Sequence, residues 1–248
     1  MGEKHMECRA VDLHNHTLFG VDDGAVDLPK ALEMLNLSIH EGIEEIVLTP
    51  HYRDPAHSAS KQKILDRIQE LENAITHEAI PIRIYPGHEI MYTSESVELL
   101  QKGEILTLAG SRYVLIEFMP YAEYRTIKNG LYAFLTEGYV PILAHVERYE
   151  CLVREPSLAE ELYQMGILLQ VNSRAVLGEN GRIQKKFIKG LLKQQNIHFV
   201  ATDAHSTGSR SPLIKKCATK LYRHFSQDYV NRILYENQKK VISNSTIH

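Results

Sequence analysis

Residue types that bind divalent cations recur along the 248-residue chain. The stretch from Val11 to Gly24, VDLHNHTLFGVDDG, places His14 and His16 two residues apart at the end of a short apolar run. Side chains alternate across a strand, so the imidazoles of a His-x-His point the same way and can grip one ion. Further along come His51 in TPHY, Glu89 in GHEI, Glu117 in LIEF, His145 in LAHVER, and Asp203 with His205 in TDAH. A buried carboxylate without a partner is costly, so such residues recurring at the ends of apolar runs point to metal ligation rather than packing. Asp22 and Asp23 add a carboxylate in the first loop. One can be a ligand and the other a turn or cap residue, and spacing leaves that choice open.

Imidazole and carboxylate donors without thiolate suit Zn, Mn or Fe, and they outnumber what one tetrahedral ion uses, implying about two or three ions. Clustered ions orient a phosphate, neutralise its charge and generate a hydroxide nucleophile near neutral pH. Four carboxylates against three divalent ions leave a net charge of about +2, suited to a phosphate dianion, which favours phosphoester over peptide hydrolysis. Arg148, three residues after His145, and Arg210, five after His205, match phosphate oxygens with their guanidinium forks; a surface salt bridge is the plain alternative. His88 beside Glu89 faces the other way on a strand and reads as structural. His40, His57, His77, His198 and His224 read as surface or packing residues. Tyr52, Tyr92, Tyr121, Tyr124 and Tyr149 follow apolar runs and read more readily as loop packing than as substrate contacts.

The elements that must position these residues follow from hydrophobic periodicity, which switches between short β-like runs and longer helical patterns. Strands are expected at Ala10 to Leu13, Glu45 to Thr49, Ile82 to Tyr85 extending toward Ile90, Tyr113 to Phe118, Pro141 to Ala144, Ile167 to Val171, and His198 to Thr202. Helices are expected on the apolar faces Leu28, Leu32, Leu35, Ile39 and Ile64, Ile68, Leu71, Ile75, then at Ser94 to Lys102, Arg125 to Thr136 and Pro156 to Met165. Three more follow, around Ile183 to Leu192, around Leu213 to Leu221 and from Tyr229 to Ile242. Strands each followed by a helix, with no linker or shift in composition, predict one domain over residues 1–248, an α/β barrel resembling the TIM type but one unit short; an open doubly wound sheet is the alternative. In such barrels the site forms at the carboxyl ends of the strands. Only the sixth strand, ending QVNS, offers no strong ligand there.

A net charge of −3 with mixed signs predicts no basic stripe for nucleic acid and no polybasic membrane tail. Apolar runs fall short of the ~18 residues of a membrane span, and the start lacks the apolar core of a secretory signal, which predicts a cytoplasmic protein. Cys8, Cys151 and Cys217 are odd in number and form no C-x-x-C, so small buried hydrophobes are expected rather than disulfides. The opening MGEKHM is compatible with a cloning remnant ending at His5-Met6 and is set aside.

Taken together, DLHNHTLFGVDDG, TPHYR, PGHEI, LIEF, AHVERY, QVNS and TDAHS resemble the polymerase-and-histidinol-phosphatase (PHP) superfamily across nearly the whole chain. Within it they resemble the bacterial manganese-dependent tyrosine-protein phosphatases of capsule and exopolysaccharide operons. The resemblance implies a distorted seven-unit βα barrel, the PHP fold, with up to three ions, typically Mn. It implies as ligands His14, His16, Asp23, His51, Glu89, Glu117, His145, Asp203 and His205, with Glu89 bridging, and it favours Asp23 over Asp22. It places Arg148 and Arg210 on the phosphate. The implied reaction is attack of a metal-bound hydroxide on phosphotyrosine, and the implied partner is a cognate tyrosine autokinase controlling polysaccharide synthesis. A histidinol-phosphatase or other small-molecule phosphomonoesterase is the rival enzyme, and a non-catalytic, metal-stabilised binding module the rival of another class. A nuclease fits poorly with the absence of a basic signal.

Overall fold

The computed structural model describes residues 9–247, so Cys8 and the opening MGEKHM lie outside it. Nine strands occur among the described residues: β1 (Ala10–Asn15), β2 (Ile43–Leu48), β3 (His51–Tyr52), β4 (Arg83–Pro86), β5 (Glu89–Met91), β6 (Tyr113–Glu117), β7 (Val140–Leu143), β8 (Leu168–Asn172) and β9 (Phe199–Ala201). Every pairing is parallel. One sheet has the order β1-β2-β4 and the other β3-β5-β6-β7-β8-β9, and a parallel bridge from Asn15 to Ala204 joins β1 to the residues just past β9. The result is a curled parallel α/β sheet with helices on its outer face.

The strand count exceeds the seven expected because a short strand, β3, follows the second expected run and the third expected run is broken into β4 and β5. Pro50, which has no N–H for the ladder, separates β2 from β3. Pro86 and Gly87 separate β4 from β5, and Gly87 is tightly enclosed: a Cβ there would lie 3.0 Å from Val47 and 3.1 Å from Leu108. Both breaks come just before a candidate ligand, His51 and Glu89, and re-aim the chain at that point.

Period-two alternation divides the apolar side chains between two clusters. Val114 and Ile116 of β6 pack outward with the helices, whereas Tyr113 and Leu115 join an inner cluster with Leu13, Ile142, Ala144 and Phe199. Glu117 follows Tyr113 and Leu115 in phase, so its carboxylate belongs to the inner face at the carboxyl end. Outside, helix Leu28–His40 buries Ala31, Met34 and Leu35, and helix Lys61–His77 buries Ile64, Ile68 and Leu71. Asp27 and Ser60 cap these helices by accepting the backbone N–H of Lys30 and Lys63.

The expected closing helix is interrupted. Segments Gln227–Asn231 and Asn237–Ile242 flank a π-helical turn at Arg232–Glu236, where Gln238 Nε2 donates to the Ile233 carbonyl at 2.7 Å. The short helices Glu150–Arg154 and Ser173–Leu177 were not foreseen, because one turn of helix carries too little periodicity to read. Charge is also less mixed than expected: helix Arg182–Gln194, RIQKKFIKGLLKQ, holds five Lys or Arg and no acidic residue. A basic stripe therefore exists, and acidic residues elsewhere in the chain hid it from the net charge.

The meeting of β1 with the segment after β9 rests on Asp12, which is buried and accepts the Thr202 N–H at 3.0 Å, the Thr202 hydroxyl at 2.5 Å and the Asn15 amide at 2.9 Å. Replacing Asp12 by Ala would leave those donors buried without an acceptor. Asp12→Ala should lower unfolding stability by about 1–3 kcal/mol, read by urea denaturation, and an unchanged midpoint would show that the clasp contributes nothing.

Candidate metal centre

The nine predicted ligands share one region at the carboxyl ends of the strands. Glu89, at the start of β5, is its hub: Oε1 lies 3.2 Å from His14 Nε2 and 2.8 Å from His145 Nε2, and Oε2 lies 3.3 Å from His16 Nε2 and 3.0 Å from His51 Nδ1. Glu117 reaches His51 at 3.0 Å and His145 at 3.6 Å. Asp203 Oδ1 stands 3.4 Å from His14 and 3.6 Å from His16. The His16 and His205 rings stack with centroids 3.7 Å apart.

Three groups have donor atoms close enough to share an ion: His16, Asp23, His51 and His205; His14, His16 and Glu89; and His51, Glu89 and Glu117. His145 and Asp203 lie beside these groups through Glu89, His14 and His16. Of the first-loop pair, Asp22 is buried and locked in place: it sits 2.7 Å from His16 Nδ1 and accepts the N–H groups of His51 and Gly24. Asp23 is half-exposed and faces His51 Nε2 at 3.4 Å and His205 Nε2 at 3.5 Å. Geometry thus gives the two carboxylates different work, Asp22 orienting an imidazole and Asp23 facing the cluster.

The imidazoles are arranged as metal-binding imidazoles are. His14 Nδ1 lies 3.2 Å from Gln170 Oε1, His16 Nδ1 against Asp22, and His205 Nδ1 2.9 Å from the Asp203 carbonyl. An oxygen partner at Nδ1 fixes the ring's orientation and aims Nε2 into the site. The Nε2 atoms of His14 and His16 and Oε2 of Glu89 are buried with no hydrogen-bond partner. Unpaired buried donor atoms converging on one volume, all N or carboxylate O, fit divalent cations of the Mn, Fe or Zn kind.

Two candidate ligands have left-handed backbones, His145 at φ 33° and Asp203 at φ 52°. This conformation is strained for residues with a Cβ. It is held by hydrogen bonds from the His145 N–H to Gln170 Oε1 at 2.8 Å and from the Asp203 N–H to the His14 carbonyl at 2.9 Å.

Residues that sequence reasoning passed over complete the surround. Gln170 and Asn172 belong to the QVNS stretch dismissed for lack of a strong ligand, yet Gln170 Nε2 donates to Asn172 Oδ1 and Asn172 Nδ2 donates to Asp203 Oδ2, both at 2.8 Å. Buried Glu147 accepts the Asn172 N–H at 3.1 Å. The signal was the placement of two amides at a predicted strand end. His88 points away, its Nδ1 accepting the Leu106 N–H, and Tyr149 is fully buried with its hydroxyl accepting the Phe118 N–H. Both are packing residues.

The two arginines reach the same carboxylate. Arg148 Nη2 donates to Asp203 Oδ2. Arg210 contacts Asp203 Oδ1 at 3.4 Å, His205 Nε2 at 2.9 Å and Asp23 Oδ2 at 3.3 Å. Both side chains remain more than a third exposed or nearly so, at 35% and 42%, which leaves them at the mouth of the site.

Burial lowers the pKa of His16, His51 and His145, but the carboxylates around them overcome it. Asp22 and Glu89 bring His16 to about 9, Glu117 and Glu89 bring His51 to about 11, and Glu117 and Glu89 bring His145 to about 9 despite Arg148. His205 goes the other way, to about 3, through burial and the neighbouring His16 and Arg210. Burial raises Glu89 and Asp203, yet His14 with the other surrounding imidazoles holds Glu89 well below its ordinary value, and His14 and Arg148 hold Asp203 down.

Parallel strands whose carboxyl ends carry a cluster of nitrogen and oxygen donors define the class: an α/β protein with a candidate polynuclear metal centre. The model of the family described as capsular polysaccharide synthesis, CpsB/CapC, matches residues 10–243, and the chain belongs to that family. It is 32% identical over 242 residues to tyrosine-protein phosphatase CpsB of Streptococcus pneumoniae, covering 96% of this chain and 100% of that one. It is 31% identical over 237 residues to tyrosine-protein phosphatase YwqE of Bacillus subtilis (strain 168), covering 96% and 93%. A crystal structure from the work on YwqE and the pneumococcal CpsB, described as unique metal-dependent tyrosine phosphatases, superposes with a TM-score of 0.90 at 31% identity over 96% of both chains. Histidinol phosphate phosphatase of Lactococcus lactis shares the fold at a TM-score of 0.57 and 15% identity, covering 97% of this chain and 95% of that one.

Protons on His16, His51 and His145 must leave when ions bind. Adding Mn to chelator-stripped protein at pH 7 should release about three protons, read by titration calorimetry in buffers of different ionisation enthalpy, and affinity should fall as pH is lowered. The same imidazoliums stabilise the metal-free protein fully below 6.5, and that stabilisation is lost as pH rises through about 9 for His16 and His145 and only through about 11 for His51. The melting temperature of stripped protein should therefore be lower at pH 9.5 than at pH 6, with metal reversing the difference. Gly24→Ala would set a Cβ 1.9 Å from the His16 carbonyl oxygen, so it should weaken metal binding at least tenfold by displacing the loop that carries Asp22 and Asp23.

Proposed function

We propose that this protein is a metal-dependent phosphotyrosine-protein phosphatase, acting in the cytoplasm on a tyrosine autokinase that controls capsular or exopolysaccharide synthesis. The observation that carries the reading is the convergence of five imidazoles, four carboxylates and two guanidiniums on one half-open volume, in a chain of the CpsB/CapC family. A tyrosine kinase uses ATP, which supports the cytoplasm as the place of action. The whole chain is read as one domain. The fold is read as a distorted seven-unit barrel in which β2 with β3, and β4 with β5, are each one broken strand and the Asn15–Ala204 bridge closes the circuit.

His14, His16, Asp23, His51, Glu89, Glu117, His145, Asp203 and His205 are the proposed ligands of two or three ions, with Mn preferred and Fe or Zn chemically acceptable. Bound ions would neutralise the phosphate dianion and lower the pKa of water, supplying the nucleophile. Glu89, in contact with four imidazoles, would help to hold more than one ion. Gln170 and Asp22 hold the rings of His14 and His16 against rotation. Arg148 and Arg210 would turn from Asp203 toward the phosphate oxygens, holding the dianion and the charge that gathers as the phosphorus–oxygen bond breaks. A phenol of pKa about 10 leaves more readily than an alkyl alcohol, so the site needs no strong general acid.

Chelator-stripped protein is expected to hydrolyse a phosphotyrosine peptide only after Mn, Fe or Zn is restored, and to prefer it to a phosphoserine peptide and to histidinol phosphate. Greater turnover of histidinol phosphate would move the protein to the small-molecule phosphatases, and no turnover with any metal would leave a binding module. His145→Ala or Asp203→Ala should abolish metal-dependent turnover. Arg148→Ala and Arg210→Ala should each lower kcat/KM for the phosphotyrosine peptide about 10- to 100-fold, the worth of one charge-assisted hydrogen bond. Full activity in either ligand variant would sink the assignment.

A further inference from the structure

A groove of about 440 Å³ lies on the outer wall, between helix Arg182–Gln194 and helix Lys215–Tyr222, away from the metal centre. Its apolar lining comes from Ile188, Leu192, Leu221 and Phe225, and its charged rim from Lys185, Lys189, Lys193 and Lys220, with no acidic residue. Lys185, Lys189 and Lys193 fall at i, i+4 and i+8, on one stripe of the helix. They are exposed, and among the described residues none of the three forms an ion pair. Lys220 approaches from the other side, its amine donating to the Val176 carbonyl at 2.6 Å. Burial and the neighbouring Lys185 lower its pKa.

Like charges four residues apart on a helix repel, so this stripe weakens its own helix unless an anion lies against it. We propose that the groove docks an acidic segment of the phosphoprotein substrate, with an apolar side chain seated on the floor and carboxylates along the lysines; this rests on the phosphatase reading above. Lys185 to Lys193 extends ~12 Å along the helix, the length of about four residues of extended peptide. A linear polyanion therefore meets the stripe better than a single small anion does. The concave apolar floor suits a side chain dropping in, whereas a membrane surface is met by a projecting face. Val176, on the groove wall, is one helical turn from Asn172, whose amide donates to Asp203. A peptide held in the groove is thus within a few residues' reach of the metal centre.

The test compares the wild type with Lys185→Glu/Lys189→Glu/Lys193→Glu and with the single variant Lys189→Glu. Substrates are a phosphotyrosine peptide with Glu, Asp and Leu in its flank, the same peptide with Gln and Asn replacing the acids, and p-nitrophenyl phosphate, all with Mn. KM for the acidic peptide should rise about tenfold in the triple variant and less in the single one, while its kcat and both constants for the other two substrates stay unchanged. An unchanged KM for the acidic peptide, or an equal rise for the neutral peptide, overturns the docking site. Fluorescence polarisation of the acidic flank lacking phosphate separates this from the function itself. Binding that the triple variant loses upholds the groove even if no phosphotyrosine is hydrolysed. Tighter, lysine-dependent binding of phosphatidylserine vesicles or single-stranded RNA than of the peptide overturns it.

Discussion

The first and last strands have to meet, and a buried carboxylate ties them together beside the backbone bonds of the Asn15–Ala204 bridge. Asp12 takes the backbone and hydroxyl donors of Thr202, so β1 lies beside the segment that follows β9 although the two are 190 residues apart in the chain. That single junction brings His14 and His16 against Asp203 and His205. The ring stack of His16 on His205, with centroids 3.7 Å apart, lies across this junction. Leu13 of β1 and Phe199 of β9 share the inner apolar cluster below the seam, and the imidazoles and carboxylates lie at its carboxyl end.

Electrostatics then sets what the centre wants. Four carboxylates crowd a small volume, and in the metal-free protein imidazolium protons and two guanidiniums neutralise them. Asp203 takes both Arg148 and Arg210, so cationic side chains from two separate segments meet the same carboxylate.

Much of this could be read in the sequence, for a physical reason. His14, His16, Glu89 and Asp203 follow short apolar runs, and in a parallel sheet the ends of such runs converge however far apart they lie in the chain. Alternation likewise set His88 apart from Glu89. The breaks at Pro50 and Pro86–Gly87 were missed because each interrupts a run only at its end, where apolar character continues. Gln170, Asn172 and Asp12 were missed because amides and a lone carboxylate earn meaning only from what they touch, and their partners are distant in sequence. Net charge misled in the same way: it sums over the chain, while the lysine stripe exists on one helix face.

The left-handed backbones of His145 and Asp203 bear on how the centre can be re-engineered. His, Asp and Asn are among the side-chain-bearing residues that enter this region with least resistance, and β-branched or bulky residues among those that resist it most. At these two positions the main chain therefore filters which donors can be installed, whatever the intended metal. A library aimed at a softer, thiolate-rich site would work against the peptide geometry there before any question of coordination arose. One that exchanges His, Asp and Asn would work with it, so the fold biases this centre toward nitrogen and oxygen chemistry through its backbone as well as its side chains.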